Sequence, residues 1–172
     1  PRPGDAVRCR SAPLMFELIV FDLDGTLVDS RRDIAESANG VLESCGLAPL
    51  AEEQIGGMVG DGAATLVARV FAARGTPPPP DALDRFLSIY DGRLLNHTRP
   101  YPRMAEVLDA LGRRSPLAVL TNKPFGAARS ILKGLDLARY FDETAVIGGK
   151  RWAIVHELKN EPEPDFEEVI AW

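Results

Sequence analysis

Four apolar residues in a row, Leu18-Ile19-Val20-Phe21, stop at two carboxylates set two positions apart, Asp22 and Asp24, with Gly25 directly behind them. A short uninterrupted apolar run is the pattern of a strand covered on both faces of a parallel sheet. Glycine then lets the backbone turn sharply. If the chain is still extended at Asp22, the two carboxylates cannot both point into a core. They converge instead at the carboxyl edge of the sheet, where open α/β folds build their sites. Two like charges held together without a counter-ion are costly, so the pair is expected around a bound cation, and hard oxygen ligands favour Mg2+. The plainer alternative is an acidic turn after a core strand, because Asp-Gly is common turn chemistry.

The stretch that follows reads as helices. Asp29 or Ser30 is placed to cap one that carries Ile34, Ala38, Val41 and Leu42 at helical spacing, and Cys45-Gly46 supplies its stop. Further helices are expected from Ala51 to about Met58, and from Ala63 to Ala73 with Leu66, Val67, Val70 and Phe71 on one face. Another starts at Asp81, with Leu83, Phe86, Leu87, Tyr90 and Leu94 on its apolar side, after a rigid connector of four prolines. The loop Gly56-Gly57-Met58-Val59-Gly60-Asp61-Gly62 leads into a helix amino terminus; it either offers N–H groups to an anion or is a bare turn. Pro100-Tyr101-Pro102 precedes a helix over 104–113 and a second apolar run, Leu117-Ala118-Val119-Leu120. That run ends in Thr121-Asn122-Lys123-Pro124, so polar groups again stand at a strand's carboxyl end, although Thr121-Asn122 alone also reads as a capped turn before a helix over 125–133.

With 172 residues, 45% of them hydrophobic, the chain has room for one sizeable core and a modest insertion. Its net charge of -5 offers no basic surface for nucleic acid. Positive charge for a phosphorylated ligand must then be concentrated locally, through a metal and a few Lys or Arg. Cys9 and Cys45 are too few and too isolated for a zinc site or a disulfide framework. No apolar run approaches membrane-spanning length and no signal peptide is evident, which argues against a membrane partner and makes the cytoplasm the default location. Residues 1–14, rich in Pro and Arg ahead of Met15, are expected to form a disordered extension. No feature of the sequence sets an oligomeric state.

Three segments together carry a resemblance: DLDGTLVDS over 22–30, TNKP over 121–124, and LDLARYFD over 135–142 leading to VIGG over 146–149. They resemble the haloacid dehalogenase-like (HAD) phosphohydrolases, and among them the phosphoglycolate phosphatase branch. The resemblance implies an α/β fold: a Rossmann-like core with a parallel sheet, incomplete at the C-terminus, and an inserted all-helical cap. The core would comprise 15–29 and 99–149, the cap 30–98, and the divergent tail 150–172. It further implies that Asp22 is the nucleophile that becomes an aspartyl phosphate and Asp24 the general acid and base, both of them holding Mg2+. Thr121 would bind a phosphoryl oxygen through its hydroxyl and Asn122 another through its N–H, with Lys123 and Gly25 in the same phosphate-binding set. The spacing suits the chemistry, since one carboxylate attacks in line while its neighbour protonates the departing alkoxide and later activates water. The implied substrate is a small phosphorylated metabolite such as 2-phosphoglycolate.

The pattern departs after Gly149. Family members continue to Lys-Pro-x-Pro, whose lysine neutralises nucleophile and phosphate, and then to a Gly-Asp strand end that completes the metal site. Here Glu161-Pro162-Glu163-Pro164 puts an anion where that cation belongs, and Lys150 and Lys159 are the nearest substitutes. A truncated gene, a frameshifted or chimeric fragment and a genuine shortened homologue all predict such a break, and its abruptness favours the first two. A three-stranded remnant would leave an open sheet edge, with Trp152-Ala153-Ile154-Val155 available to patch it. Two carboxylates without a third should bind Mg2+ weakly, so weak or absent turnover is expected. The alternative of another class is a non-catalytic phosphate-binding or interaction protein built on the same fold. A phosphoacceptor signalling domain also uses an Asp at a strand end, but a long helical insertion straight after the first strand argues against it. His97 and His156 are expected at the surface.

Overall fold

The computed structural model describes residues 16–149. The extension over 1–14, Lys150, Lys159, His156 and the tail over 150–172 lie outside the described residues. In chain order the elements are β1 (Ile19–Phe21), β2 (Val28–Asp29), α1 (Arg31–Ser44), α2 (Glu52–Gly56), α3 (Ala63–Ala72), α4 (Ala82–Asp91), β3 (Arg99–Pro100), α5 (Met104–Gly112), β4 (Leu117–Thr121), α6 (Phe125–Gly134) and β5 (Val146–Gly148).

Strands β1, β4 and β5 form a parallel sheet in the order β1-β4-β5, with Phe21 opposite Val119 and Thr121 opposite Gly148. The central strand behaves as its continuous apolar run demands: Leu117, Ala118 and Val119 are buried on both faces. The same expectation fails for β1. Leu18 and Val20 are 51% and 48% exposed, because β1 is the edge of the described sheet and one of its faces carries no cover among the described residues. Ile19 and Phe21, on the alternate face, pack against the cluster of Leu23, Leu108, Val119, Ile131 and Leu132.

Helices α1 to α4 bury their apolar stripes against one another in a second cluster that includes Ile34, Val41, Leu42, Leu66, Val70, Phe71 and Phe86. Phe71 is 2% exposed, so its truncation to Ala would cost about 3–5 kcal/mol. Helix α1 ends as its sequence predicts. Gly46 takes φ +71°, its N–H donates to the Glu43 carbonyl at 2.9 Å, and the Leu47 N–H donates to the Leu42 carbonyl at 2.9 Å, the paired bonds of a Schellman stop. At its start only one of the two expected caps bonds the helix. Ser30 occupies the N-cap position but makes no capping bond, because its hydroxyl is committed elsewhere, and Asp29 instead accepts from the Arg31 N–H at 3.3 Å.

Two further features join the helical layer to the sheet layer. The antiparallel pair β2-β3 matches Val28 with Pro100 and Asp29 with Arg99, binding the outgoing and returning chain together. Beside it, the fully buried Asp33 of α1 accepts from the N–H groups of His97 and Thr98 and from the Thr98 hydroxyl, the last at 2.7 Å. Among the described residues, no helix is long and apolar enough to cross a membrane.

Candidate active site

The turn after β1 is held from below. Leu23 and Leu27 are both 0% exposed, and their burial fixes the residues between and beside them at the sheet's rim. Gly25, at φ +81°, donates its N–H to the Val28 carbonyl at 2.9 Å, and the Val28 N–H returns to the Leu23 carbonyl at 3.1 Å. A side chain is disfavoured at that φ, which is the reason glycine follows Asp24. Asp22 projects from the end of β1 with one carboxylate oxygen accepting the Leu23 N–H at 2.8 Å. Asp24 follows in the turn, and both of its oxygens are engaged: Oδ1 accepts from the Ser30 hydroxyl at 2.5 Å and Oδ2 lies 3.0 Å from Lys123 Nζ.

The end of β4 supplies the opposite side. Thr121 is buried, and its Oγ1 accepts the Lys123 N–H at 3.2 Å, which curls the segment into a tight turn. A glycine pair makes that turn fit. A Cβ on Gly148 would stand 2.7 Å from the Phe125 Cα and 2.9 Å from the Lys123 carbonyl oxygen, and the Gly149 N–H donates to that same oxygen at 2.7 Å. The Gly-Gly of the third motif therefore seats the loop of the second.

Asp22, Asp24, Thr121, Asn122 and Lys123 all line one cleft. Its other wall comes from the helical layer, through Val59, Gly60 and Gly62 of the glycine-rich loop and Leu66, Phe86 and Tyr90 of α3 and α4. Gly25 serves the turn and is not part of the lining. Two direct bonds cross the cleft: Asn122 Nδ2 donates to the Gly60 carbonyl at 2.7 Å, and Lys123 Nζ donates to the Tyr90 hydroxyl at 2.6 Å. Tyr90 also stacks on Phe86, and burial first, then the Asp24 charge, pushes its hydroxyl above the ordinary tyrosine range. Sequence reasoning placed Tyr90 on an apolar stripe and Ser30 at a helix cap, and neither position signalled a bond into the site.

One group of three residues with metal-ligating side chains is drawn together among the described residues: Asp33, Glu36 and His97. These residues are already engaged. Asp33 is saturated by the returning chain, and Glu36 is bound by Arg32 and Arg93, whose charges oppose a cation there. The cluster is a structural tie at the root of the helical layer. His97 is exposed, as expected, with Nε2 at 3.6 Å from Glu36.

Comparison with known proteins agrees with this geometry. A family model described as haloacid dehalogenase-like hydrolase matches residues 19–158, which carries the match past the motif break at Gly149. A phosphoglycolate phosphatase of Agrobacterium fabrum is 41% identical over 129 residues, covering 72% of this chain and 55% of its own length. Its namesake in Rhodospirillum rubrum is 40% identical over 159 residues, covering 87% of this chain and 64% of its own. The crystal structure of a predicted phosphoglycolate phosphatase from Haemophilus somnus 129PT superposes with a TM-score of 0.74 at 32% identity, over 83% of this chain and 66% of that one. The chain thus spans between 55% and 64% of the two curated relatives. On the strength of these matches and of the fold they share, the chain belongs to the haloacid dehalogenase-like hydrolase family.

Proposed function

We propose that this protein is a phosphatase for a small phosphomonoester of the cytoplasm, of the 2-phosphoglycolate kind, working through an aspartyl phosphate on Asp22. The observation that carries the reading is the delivery of Asp22, Asp24, Thr121 and Asn122 to one cleft by the carboxyl ends of two paired parallel strands. An Asp22 oxygen attacks phosphorus in line with the ester oxygen, and the P–O bond to the alcohol breaks as Asp24 delivers a proton to the departing alkoxide. Asp24, now ionised, takes a proton from water, which attacks the phosphorus and releases inorganic phosphate from Asp22. Thr121 and the Asn122 N–H hold the phosphoryl oxygens during both steps. The helical layer closes over the cleft and restricts water.

HAD phosphatases generally use a divalent metal. The donor set at the rim is made of hard carboxylate oxygens, which fits Mg2+ better than a thiophilic ion. Asp22 and Asp24 are the residues that would hold it. Asp24 stands beside Asp22, with its side chain braced by Ser30 and Lys123. When bound, the ion would offset the negative charge gathered where phosphate meets Asp22.

The test is release of inorganic phosphate from 2-phosphoglycolate in Mg2+, with Asp22→Asn as the comparison. Turnover that falls by about a thousandfold or more in the variant supports the reading. Turnover that survives the substitution refutes it, and phosphate binding without any turnover selects the non-catalytic alternative.

A further inference from the structure

Lys123 carries the only positive charge among the described residues that line the cleft. Its ammonium is buried at the seam between the two layers, 3.0 Å from Asp24 Oδ2, 2.6 Å from the Tyr90 hydroxyl and 4.5 Å from the Tyr90 ring centre. An ammonium has three N–H donors, so with Asp24 and Tyr90 as two partners one donor remains. The Tyr90 hydroxyl accepts from lysine and keeps its own proton to give. Because burial holds that hydroxyl in its neutral form, it stays a donor through the physiological range.

The other side chains on the cap side of the wall are apolar, including those of Val59, Leu66, Phe86 and Leu87, and Gly60 and Gly62 bring only backbone to it. A phosphoryl group seated between Asp22 and Thr121 leaves the remainder of a small substrate directed at this wall. Among the side chains described there, Lys123 and Tyr90 together are the charged and hydroxyl donors that a carboxylate on that remainder could pair with, and along the apolar part it would be desolvated and unpaired. A second anionic group on the substrate would add to the negative charge that the phosphoryl group and Asp22 bring to the rim, so it needs a partner of its own.

We propose that Lys123 Nζ and Tyr90 Oη form the subsite for a second anionic group, a carboxylate, on the substrate, and so select small phosphorylated hydroxy acids over uncharged phosphomonoesters. The proposal deepens the phosphatase reading above and rests on its placement of the phosphoryl group. It moves the Lys123 side chain from the phosphate to the other end of the substrate. Because Lys123 follows β4 and Tyr90 belongs to α4, a carboxylate held by both also draws the helical layer onto the sheet layer.

The test is calorimetric binding of two ligands of matched size, 2-phosphoglycolate and 2-hydroxyethyl phosphate, to the full chain in Mg2+. The expected wild-type preference for the carboxylate is about tenfold or more, as for a charge-assisted pair. In Lys123→Met the ratio should fall close to one. In Tyr90→Phe, which keeps the stack on Phe86 and removes only the hydroxyl, it should fall about threefold or more. A ratio unchanged in both variants, including equal weakening of the two ligands, overturns the proposal, as does a wild type that shows no preference or binds neither ligand. Phosphate release measured alongside separates the two readings. A binding preference without turnover leaves the subsite standing and removes the phosphatase, whereas turnover of both ligands without preference removes the subsite alone.

Discussion

Replacing Asp33 by Ala tests whether the tie between the two layers is a principal source of stability. The carboxylate takes the N–H groups of His97 and Thr98 and the Thr98 hydroxyl. Thr98 is 0% exposed, so water cannot replace the lost acceptor for its two donors, while the exposed His97 can recruit water for its N–H. Each buried donor left without a partner costs about 1–3 kcal/mol, which gives a loss of about 2–6 kcal/mol for the two. Against a total stability of about 5–15 kcal/mol the effect is large. In urea, with a slope of about 2 kcal/mol per molar, the unfolding midpoint should fall by about 1–3 M. Asp33→Asn keeps one acceptor oxygen but turns an NH2 toward the His97 N–H, so its midpoint should lie between the other two. A shift in Asp33→Ala within ~0.3 M of wild type would refute the reasoning, because it would mean that the Thr98 donors are satisfied without the carboxylate.

The other expectations concern the site and its support. Gly148→Ala pushes a Cβ to 2.7 Å from the Phe125 Cα, a backbone atom that cannot swing aside, so thermal unfolding should show a loss of about 2 kcal/mol or more. On the proposed mechanism, Asp24→Asn should slow phosphate release about 10²–10⁴-fold while calorimetry still detects 2-phosphoglycolate, since that mechanism loses its general acid and keeps its phosphate binders Thr121 and Asn122. The raised Tyr90 hydroxyl makes stability depend on pH at the alkaline end. The folded state keeps a proton that an unfolded tyrosine loses near its ordinary value of 10.0, so the contribution is complete below that value and is lost as pH rises beyond it. Urea midpoints at about pH 9 and about pH 11 should therefore drop further in wild type than in Tyr90→Phe.

Local order was written in residues that are neighbours in the chain. The apolar run into Asp22, the glycine stop at Gly46, the stripe of Leu66, Val67, Val70 and Phe71 and the second run into Thr121 each announce an element, because a strand or helix follows from periodicity over a few residues. The same patterns required the carboxyl ends of β1 and β4 to face one way, since parallel strands joined through helices share a rim. Other features could not be read in this way. Strands β2 and β3 are too short to show a period, and they exist because Val28-Asp29 and Arg99-Pro100 meet across the whole helical layer. The exposure of Leu18 and Val20 reflects what packs over β1, which no local pattern encodes. The hydroxyl of Ser30 could have capped α1 but bonds Asp24 at 2.5 Å, a partner that the turn at Gly25 brings to it.

The chain alone thus determined which residues stand at the strand ends and with what chemistry: two carboxylates, a hydroxyl, an amide and an ammonium. Only the tertiary structure decided where the ammonium of Lys123 goes. A lysine's long stem reaches many places from one backbone position, and its choice of Asp24 and Tyr90 depends on a helix that passes more than thirty residues earlier in the chain.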